Sequence, residues 1–292
     1  MQIEEALEHY TTQLEADGRS GHTIAQVRRH MRLSIAWLAA NASIAEIENL
    51  THEHIARFLA SDVTTKRADG APRKATSANA LRSSVRTFCG YVHAAGYVAA
   101  NPARLVRRAR CGAPKPKALS DAEVAKLRAA MDTARTPAEL RDRALFTTLL
   151  DAGLRIGSAL GVDVEDVDLE VGELRLRWMK NSDQGTVFVP TRTATILRKF
   201  LGERTSGPLF PALHGGRMGT RSAHRRLEIW ATRAGLSRRL SPHMLRHTFA
   251  TGLYRRTGDV LLVGRALCHR SIASTAVYAQ VDAQRLKAAL RT

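Results

Sequence analysis

The sequence predicts a mainly α-helical protein with one small β-hairpin, divided into two domains, and three observations carry that reading. Apolar residues recur at spacings of three and four from Ile3 to about Asn101 and again through the second half. One stretch, Val171 to Trp178 followed by Thr186 to Pro190, switches to strand-like alternation. Asn101-Pro102-Ala103 closes the first helical region just before a run of cations. The expected layout is a helical domain over residues 1–103, a basic linker over 104–118 and a second domain over 119–292. With 292 residues, 44% of them hydrophobic, the chain is long enough for two buried cores.

In the first domain the helical sets are Ala6-Leu7-Tyr10-Leu14, Ile24-Val27-Met31, Ile35-Trp37-Leu38, Ile55-Phe58-Leu59 and Leu81-Val85-Phe88-Val92, which fit four or five short helices. Breaks fall at Asp17-Gly18, at 41–49, and at Thr64 to Lys74, a basic loop rich in helix breakers that suits phosphate contact ahead of a helix. The linker carries Arg104, Arg107, Arg108, Arg110, Lys115 and Lys117 and reads either as a solvated tether or as a strap across a nucleic-acid backbone.

The second domain opens at Ser120 with Glu123, the spacing of a capping box. Helices are expected at 141–150, 193–201, 220–234, 242–256, 260–266 and 274–278, with the hairpin between the first two and a short tail at the end.

Charge narrows the partner. Lys and Arg number 45 against 27 Asp and Glu, a net +18, so the simplest partner is a polyanion, with duplex nucleic acid ahead of an anionic membrane. Aromatic residues are only 5%, too few for a stacking platform on single strands. No run approaches the ~18 apolar residues of a spanning helix, and Met1-Gln2-Ile3-Glu4-Glu5 starts acidic, so no membrane association and a cytoplasmic, nucleoid-associated location are expected. Cys89, Cys111 and Cys268 have no chelating or disulfide spacing and read as reduced and incidental.

Six residues form an ordered set suited to breaking a phosphodiester without metal: Arg155, Lys180, His243, Arg246, His269 and Tyr278. Ser241-Pro242 is a helix start that puts His243 and Arg246 three residues apart on one face. Taken singly, each has a plainer reading. Arg155 can pair with Asp151, His243 and Arg246 can be a satisfied helix-start pair, and Tyr278 can be a core aromatic.

The segments Asp151-Ala152-Gly153-Leu154-Arg155-Ile156-Gly157-Ser158-Ala159-Leu160, Leu240-Ser241-Pro242-His243-Met244-Leu245-Arg246-His247-Thr248-Phe249-Ala250-Thr251 and Leu267-Cys268-His269-Arg270-Ser271-Ile272-Ala273-Ser274-Thr275-Ala276-Val277-Tyr278 come in order. Together they resemble the tyrosine recombinase (phage integrase) family, most closely its Xer-like members. The resemblance covers nearly the whole chain. It implies a helical, SAM-like core-binding domain and a catalytic domain that close as a C-shaped clamp on DNA. It also implies strand exchange through a 3′-phosphotyrosyl link and a Holliday junction, in a homo-tetramer on two double-stranded DNA sites, with no cofactor and no metal; the free protein's oligomeric state stays open.

Within that resemblance the chemistry assigns roles. Arg155 and Arg246 meet the nonbridging oxygens, Tyr278 is the nucleophile, His243 accepts its proton, Lys180 protonates the leaving 5′-oxygen, and His269 hydrogen-bonds the phosphate. Ser158, Met179, Asn181 and Cys268 depart from the family pattern, which leaves Arg175, Arg177 and Lys199 as substitutes for Lys180, with Arg177 disfavoured by its place in the strand. Arg221 and Arg225, four apart, are candidate DNA readers in the catalytic domain, as are Lys74, Arg82 and Arg86 in the first domain. Leu286, Ala289 and Leu290 of the amphipathic tail are expected to touch a neighbouring protomer or to pack in cis. Other readings are a topoisomerase-like nicking and closing enzyme, a catalytically idle DNA-binding regulator, and a zinc hydrolase built on His243 and His247, which lacks a glutamate at Met244.

Overall fold

A computed structural model describes residues 1–112, 118–177, 185–268 and 275. Its contacts divide the chain into two compact units, Met1–Ala113 and Pro114–Thr292. Of the expected helix at 274–278 only Thr275 is described; the tail contacts Leu286, Ala289 and Leu290 and the site residues Lys180, His269 and Tyr278 lie outside the described residues.

Unit 1 is helical throughout: α1 (Ile3–Ala16), α2 (Gly21–Ala42), α3 (His52–Ala60), α4 (Asp62–Thr65) and α5 (Ala75–Ala94). Local chemistry sets these limits. The Ser20 hydroxyl accepts the Thr23 N–H to start α2, and Thr51 with His54 forms a capping box at α3. α2 and α5 run 22 and 20 residues, longer than the short helices expected, because their apolar stripes continue unbroken against one core. That core contains Leu7, Met31, Leu38, Phe58, Val85, Phe88 and Val92.

The basic loop 66–74 partly satisfies itself. Arg73 donates to the carbonyls of Val63 and Lys66 at 3.2 and 3.1 Å, and Arg67 pairs with Asp69. Beyond α5 the chain stays with this unit: Ala103 and Val106 are buried in its core. The Asn79 amide grips the Ala109 peptide from both sides, Nδ2 donating to its carbonyl at 2.9 Å and Oδ1 accepting its N–H at 2.7 Å. The basic stretch is therefore anchored on unit 1 at least as far as Ala109.

Unit 2 is built on α7 (Pro137–Ala152), whose Leu145, Phe146 and Leu149 are fully buried. Around it pack α6 (Asp121–Asp132), α9 (Thr191–Leu201), α10 (Thr220–Arg233) and α11 (Pro242–Thr257), and α12 (Val260–Ala266) packs on α11. The Ser120–Glu123 capping box forms as expected. α7 starts earlier than the expected residue 141, because Thr136 and Glu139 form a second capping box with Pro137 in the first turn. A short helix, α8 (Ile156–Gly161), follows α7.

The hairpin of β2 (Glu173–Leu176) and β3 (Gly185–Phe188) is joined by β1 (Val167–Asp168) into an antiparallel sheet of order β1-β2-β3. Leu174 faces Val187 across the pair and both point into the core, while Phe188 on the other face is 65% exposed. Deep in this unit, Asp142 is wholly buried and takes Nη2 of Arg141 at 2.8 Å, Nε of Arg226 at 2.5 Å and Nε1 of Trp230 at 3.1 Å. Such a carboxylate is tolerated because its donors replace the lost water.

Candidate active site

The site begins where α7 stops. Gly153 takes a left-handed conformation (φ 62°) and closes the helix, and a Cβ there would stand 2.2 Å from Cδ1 of Phe249. Both the turn and the tight packing require glycine. The chain then passes buried Leu154 and delivers Arg155 at the N-cap of α8.

Arg246 arrives from the first half of α11 and is only 4% exposed. Its Nη1 donates to the Gly153 carbonyl at 2.7 Å and its Nη2 to the Leu267 carbonyl at 2.9 Å. Those are the C-terminal ends of α7 and α12, where unpaired carbonyls and the helix dipoles favour a cation. These two carbonyls fix the orientation of the guanidinium.

Arg155 makes no ion pair among the described residues, and its plainer partner is taken: Asp151 accepts from Arg128 and from the Thr193 hydroxyl, each at 2.6 Å. Arg155 and Arg246 line one narrow crevice together with Gly153, Ser158, Leu267 and Cys268. Cys268, at the crevice wall, has φ 51° in a position that favours glycine. Burial raises its thiol pKa, and Arg246 and Arg155 oppose that rise.

His243 sits beside the same charges. Its pKa is lowered by burial first and then by Arg246 and Arg155, which favours the neutral imidazole that accepts a proton. The ring of His247 meets it edge to face, centroids 4.7 Å apart, one turn along α11. Burial, His243 and Arg246 push His247 down to about 4. Among the described residues no group of three or more His, Cys, Asp or Glu side chains is placed to hold a metal.

Arg155 and Arg246 are thus brought to one crevice, and His243 lies beside their charges. Of the substitutes for Lys180, Arg177 is held by Asp166 at 2.6 Å, whereas Arg175 and Lys199 are exposed. Arg221 and Arg225 lie exposed on the first turns of α10. In unit 1, Lys74 and Arg86 are exposed and Arg82 is half-buried. None of these five cations forms an ion pair among the described residues, whereas their neighbours Arg217 and Arg226 are tied to Asp163 and Asp142. Sequence reasoning missed the two carbonyls that hold Arg246 and the edge-on role of His247, for which the i, i+4 spacing was the available signal. Among the described residues no helix is long and apolar enough to cross a membrane.

A helical unit with a small antiparallel sheet thus brings two guanidiniums to one crevice, with a half-buried imidazole of lowered pKa beside their charges. The "Phage integrase family" description matches residues 117–285, and the "Phage integrase, N-terminal SAM-like domain" matches residues 7–96. The chain is 31% identical to tyrosine recombinase XerC of Chromobacterium violaceum over 97% of its own length and 92% of that protein's. It is 28% identical to XerC of Proteus mirabilis over 96% of its length and 91% of that protein's.

Solved structures with the same fold include XerH site-specific recombinase bound to palindromic difH substrate in a post-cleavage complex, at TM-score 0.76 and 22% identity over 96% of this chain and 84% of that one. Another is a lambda integrase dimer bound to a COC′ core site, at TM-score 0.71 and 18% identity over 93% and 96% of the two chains. The chain belongs to the phage integrase family and is a site-specific tyrosine recombinase.

Proposed function

We propose that this protein cuts and rejoins duplex DNA at paired sites, with Tyr278 attacking the scissile phosphorus. The tyrosine oxygen forms the new P–O bond, the P–O5′ bond breaks, and the 3′-phosphotyrosyl link keeps the bond energy for a partner strand's 5′-hydroxyl to reverse the step. Arg155 and Arg246 bind the nonbridging oxygens as negative charge grows on them. His243 takes the tyrosine proton, Lys180 supplies one to the leaving oxygen, and His269 hydrogen-bonds the phosphate.

The observation that carries this reading is the pair of guanidiniums at one crevice, with Arg246 aimed there by the Gly153 and Leu267 carbonyls. The relatives' name, tyrosine recombinase XerC, supports it, and so do the DNA-bound neighbours, which include a lambda integrase tetramer on a Holliday junction. Two domains joined through the basic stretch 104–118, whose first part packs on unit 1, a tetramer on two sites, and a cytoplasmic, nucleoid-associated location accord with it.

Lys74, Arg82, Arg86, Arg221 and Arg225 serve as DNA contacts in this reading, their charges free for phosphates and base edges. The test starts from a duplex selected from a randomised pool by binding to the wild-type protein. A nicked form of that duplex should trap covalent protein, in excess EDTA as well, and Tyr278→Phe should trap none. Paired duplexes should yield junctions and exchanged products. Relaxation of supercoiled DNA without exchange would instead indicate a nicking and closing enzyme, and binding without any adduct an idle regulator. Arg221→Ala and Arg225→Ala should each lower the slope of log affinity against log salt by about 1.

A further inference from the structure

α12 holds a residue that its own helix disfavours. Gly264 lies inside this seven-residue helix, where glycine loses more backbone freedom on folding than alanine does. Space accounts for it. A Cβ on Gly264 would stand 3.3 Å from Oγ1 and 4.0 Å from Cγ2 of Thr275, so Thr275 would have to give by a few tenths of an ångström. Thr275 has no exposed surface, which leaves it little room to do so. Its side chain is seated on the bare backbone of α12.

The same helix holds a second component of the site. Leu267, which closes α12, gives its carbonyl to Nη2 of Arg246 at 2.9 Å. The Asp259 carboxylate caps the start, accepting the N–H groups of Leu261 and Leu262 at 2.8 and 3.0 Å. Val263 and Leu267 pack with Ala250 of α11 in a small cluster distinct from the main core of unit 2. α12 is therefore a short body pinned at its start, touching Thr275 near its middle and Arg246 at its end. Thr275 precedes Tyr278 by three residues in the sequence.

We propose that Gly264 is a positioning residue: by seating Thr275 directly on α12 it makes one helix set the register between Arg246 and the segment that carries Tyr278. This rests on Tyr278 being the nucleophile. In-line attack tolerates little misplacement, about 100-fold in rate for 1 Å, so a shift of a few tenths costs on the order of several-fold to tenfold.

The experiment compares wild type, Gly264→Ala, Thr275→Ala and the double variant on the nicked, selected duplex. It measures duplex affinity, melting temperature and the single-turnover rate of covalent adduct formation. Gly264→Ala should bind like wild type and melt close to it, because the helix-favouring alanine offsets the cost of pressing on buried Thr275, yet form adduct on the order of several-fold to tenfold more slowly. Adding Thr275→Ala should restore most of the lost rate, because the overlap is gone. A purely structural role predicts the opposite split, with melting and binding falling together and no recovery. The seat is overturned if Gly264→Ala forms adduct at the wild-type rate, if binding falls in step with cleavage, or if the double variant does not recover. Absence of adduct in the wild type, or its persistence in Tyr278→Phe, removes the underlying reading and the seat with it.

Discussion

Nη1 of Arg246 lies 2.7 Å from the carbonyl oxygen of Gly153, at the point where α7 ends and the chain turns toward Arg155. One peptide thus ends the central helix, aims the second guanidinium and leads into the first. The other face of Gly153 is closed by Phe249, three residues beyond Arg246 on α11, so the register of α11 against the end of α7 is fixed on both sides.

Gly153→Ala should be costly for two separate reasons, the left-handed φ of 62° and the overlap with the Phe249 ring. Strain and overpacking together predict a loss of about 2–4 kcal/mol in denaturant unfolding, with slower adduct formation as Arg246 shifts. Gly157→Ala is the control. It has nothing within 4 Å of the added Cβ and lies in α8, so it should be neutral or slightly stabilising.

Arg246→Lys should separate binding from chemistry. A single ammonium cannot reach the Gly153 and Leu267 carbonyls and also present a fixed fork to a phosphate. Duplex affinity should change little if the proposed contacts at Lys74, Arg82, Arg86, Arg221 and Arg225 hold the DNA, while the adduct rate should fall by about 10²–10³. A rate within twofold of wild type would remove Arg246 from the reaction.

Most of the helices were legible in the sequence because their signals are local. The Ser120 and Glu123 box, the start of α10 at Thr220 and both limits of α12 needed only caps and period. The two-residue strand β1 is too short to show a period at all. In the site, residue types and order made Arg155, His243 and Arg246 legible. What holds them was not, since the acceptors are backbone carbonyls and every residue has one. The buried Asp142 was hidden for a related reason, because Arg226 is 84 residues away along the chain and a charged helix start looks solvated.

The imidazoles give the site a pH dependence whose sign follows from burial. The folded protein holds His247 at about 4, below the ordinary imidazole value of 6.5, so the unfolded chain binds the extra proton between those values. Stability should be level above about pH 7 and fall by on the order of 1–3 kcal/mol as pH drops from about 6.5 toward 4. His247→Phe should flatten that part of the profile, and an unchanged slope would reassign it to other groups. The adduct rate should keep its acid limb below pH 6.5, because the pKa of His243 is lowered as well.

Asp142→Ala should be among the most damaging substitutions in unit 2. It would leave the Arg141 guanidinium, 7% exposed, and the Trp230 indole N–H without their buried acceptor. Removing one partner of a buried ion pair costs about 3–5 kcal/mol, and unfolding of this unit should shift accordingly. Asp142→Asn keeps an acceptor oxygen and should lose less.

Asn79→Ala should release the basic stretch that follows unit 1. Its amide makes both hydrogen bonds to Ala109 and is 4% exposed, so no water replaces them cheaply in the folded state. Losing them should lower the free energy of local opening by about 1–3 kcal/mol, which raises the open population at least about fivefold. Trypsin cleavage after Arg107, Arg108 and Arg110 tracks that population when reclosing is faster than cutting, so those cuts should accelerate by the same factor. Cleavage after Lys66 and Arg67, in a loop with its own hydrogen bonds from Arg73, should not change and serves as the internal reference. Equal acceleration at both places would mean that Asn79 supports the whole unit instead of the basic stretch alone.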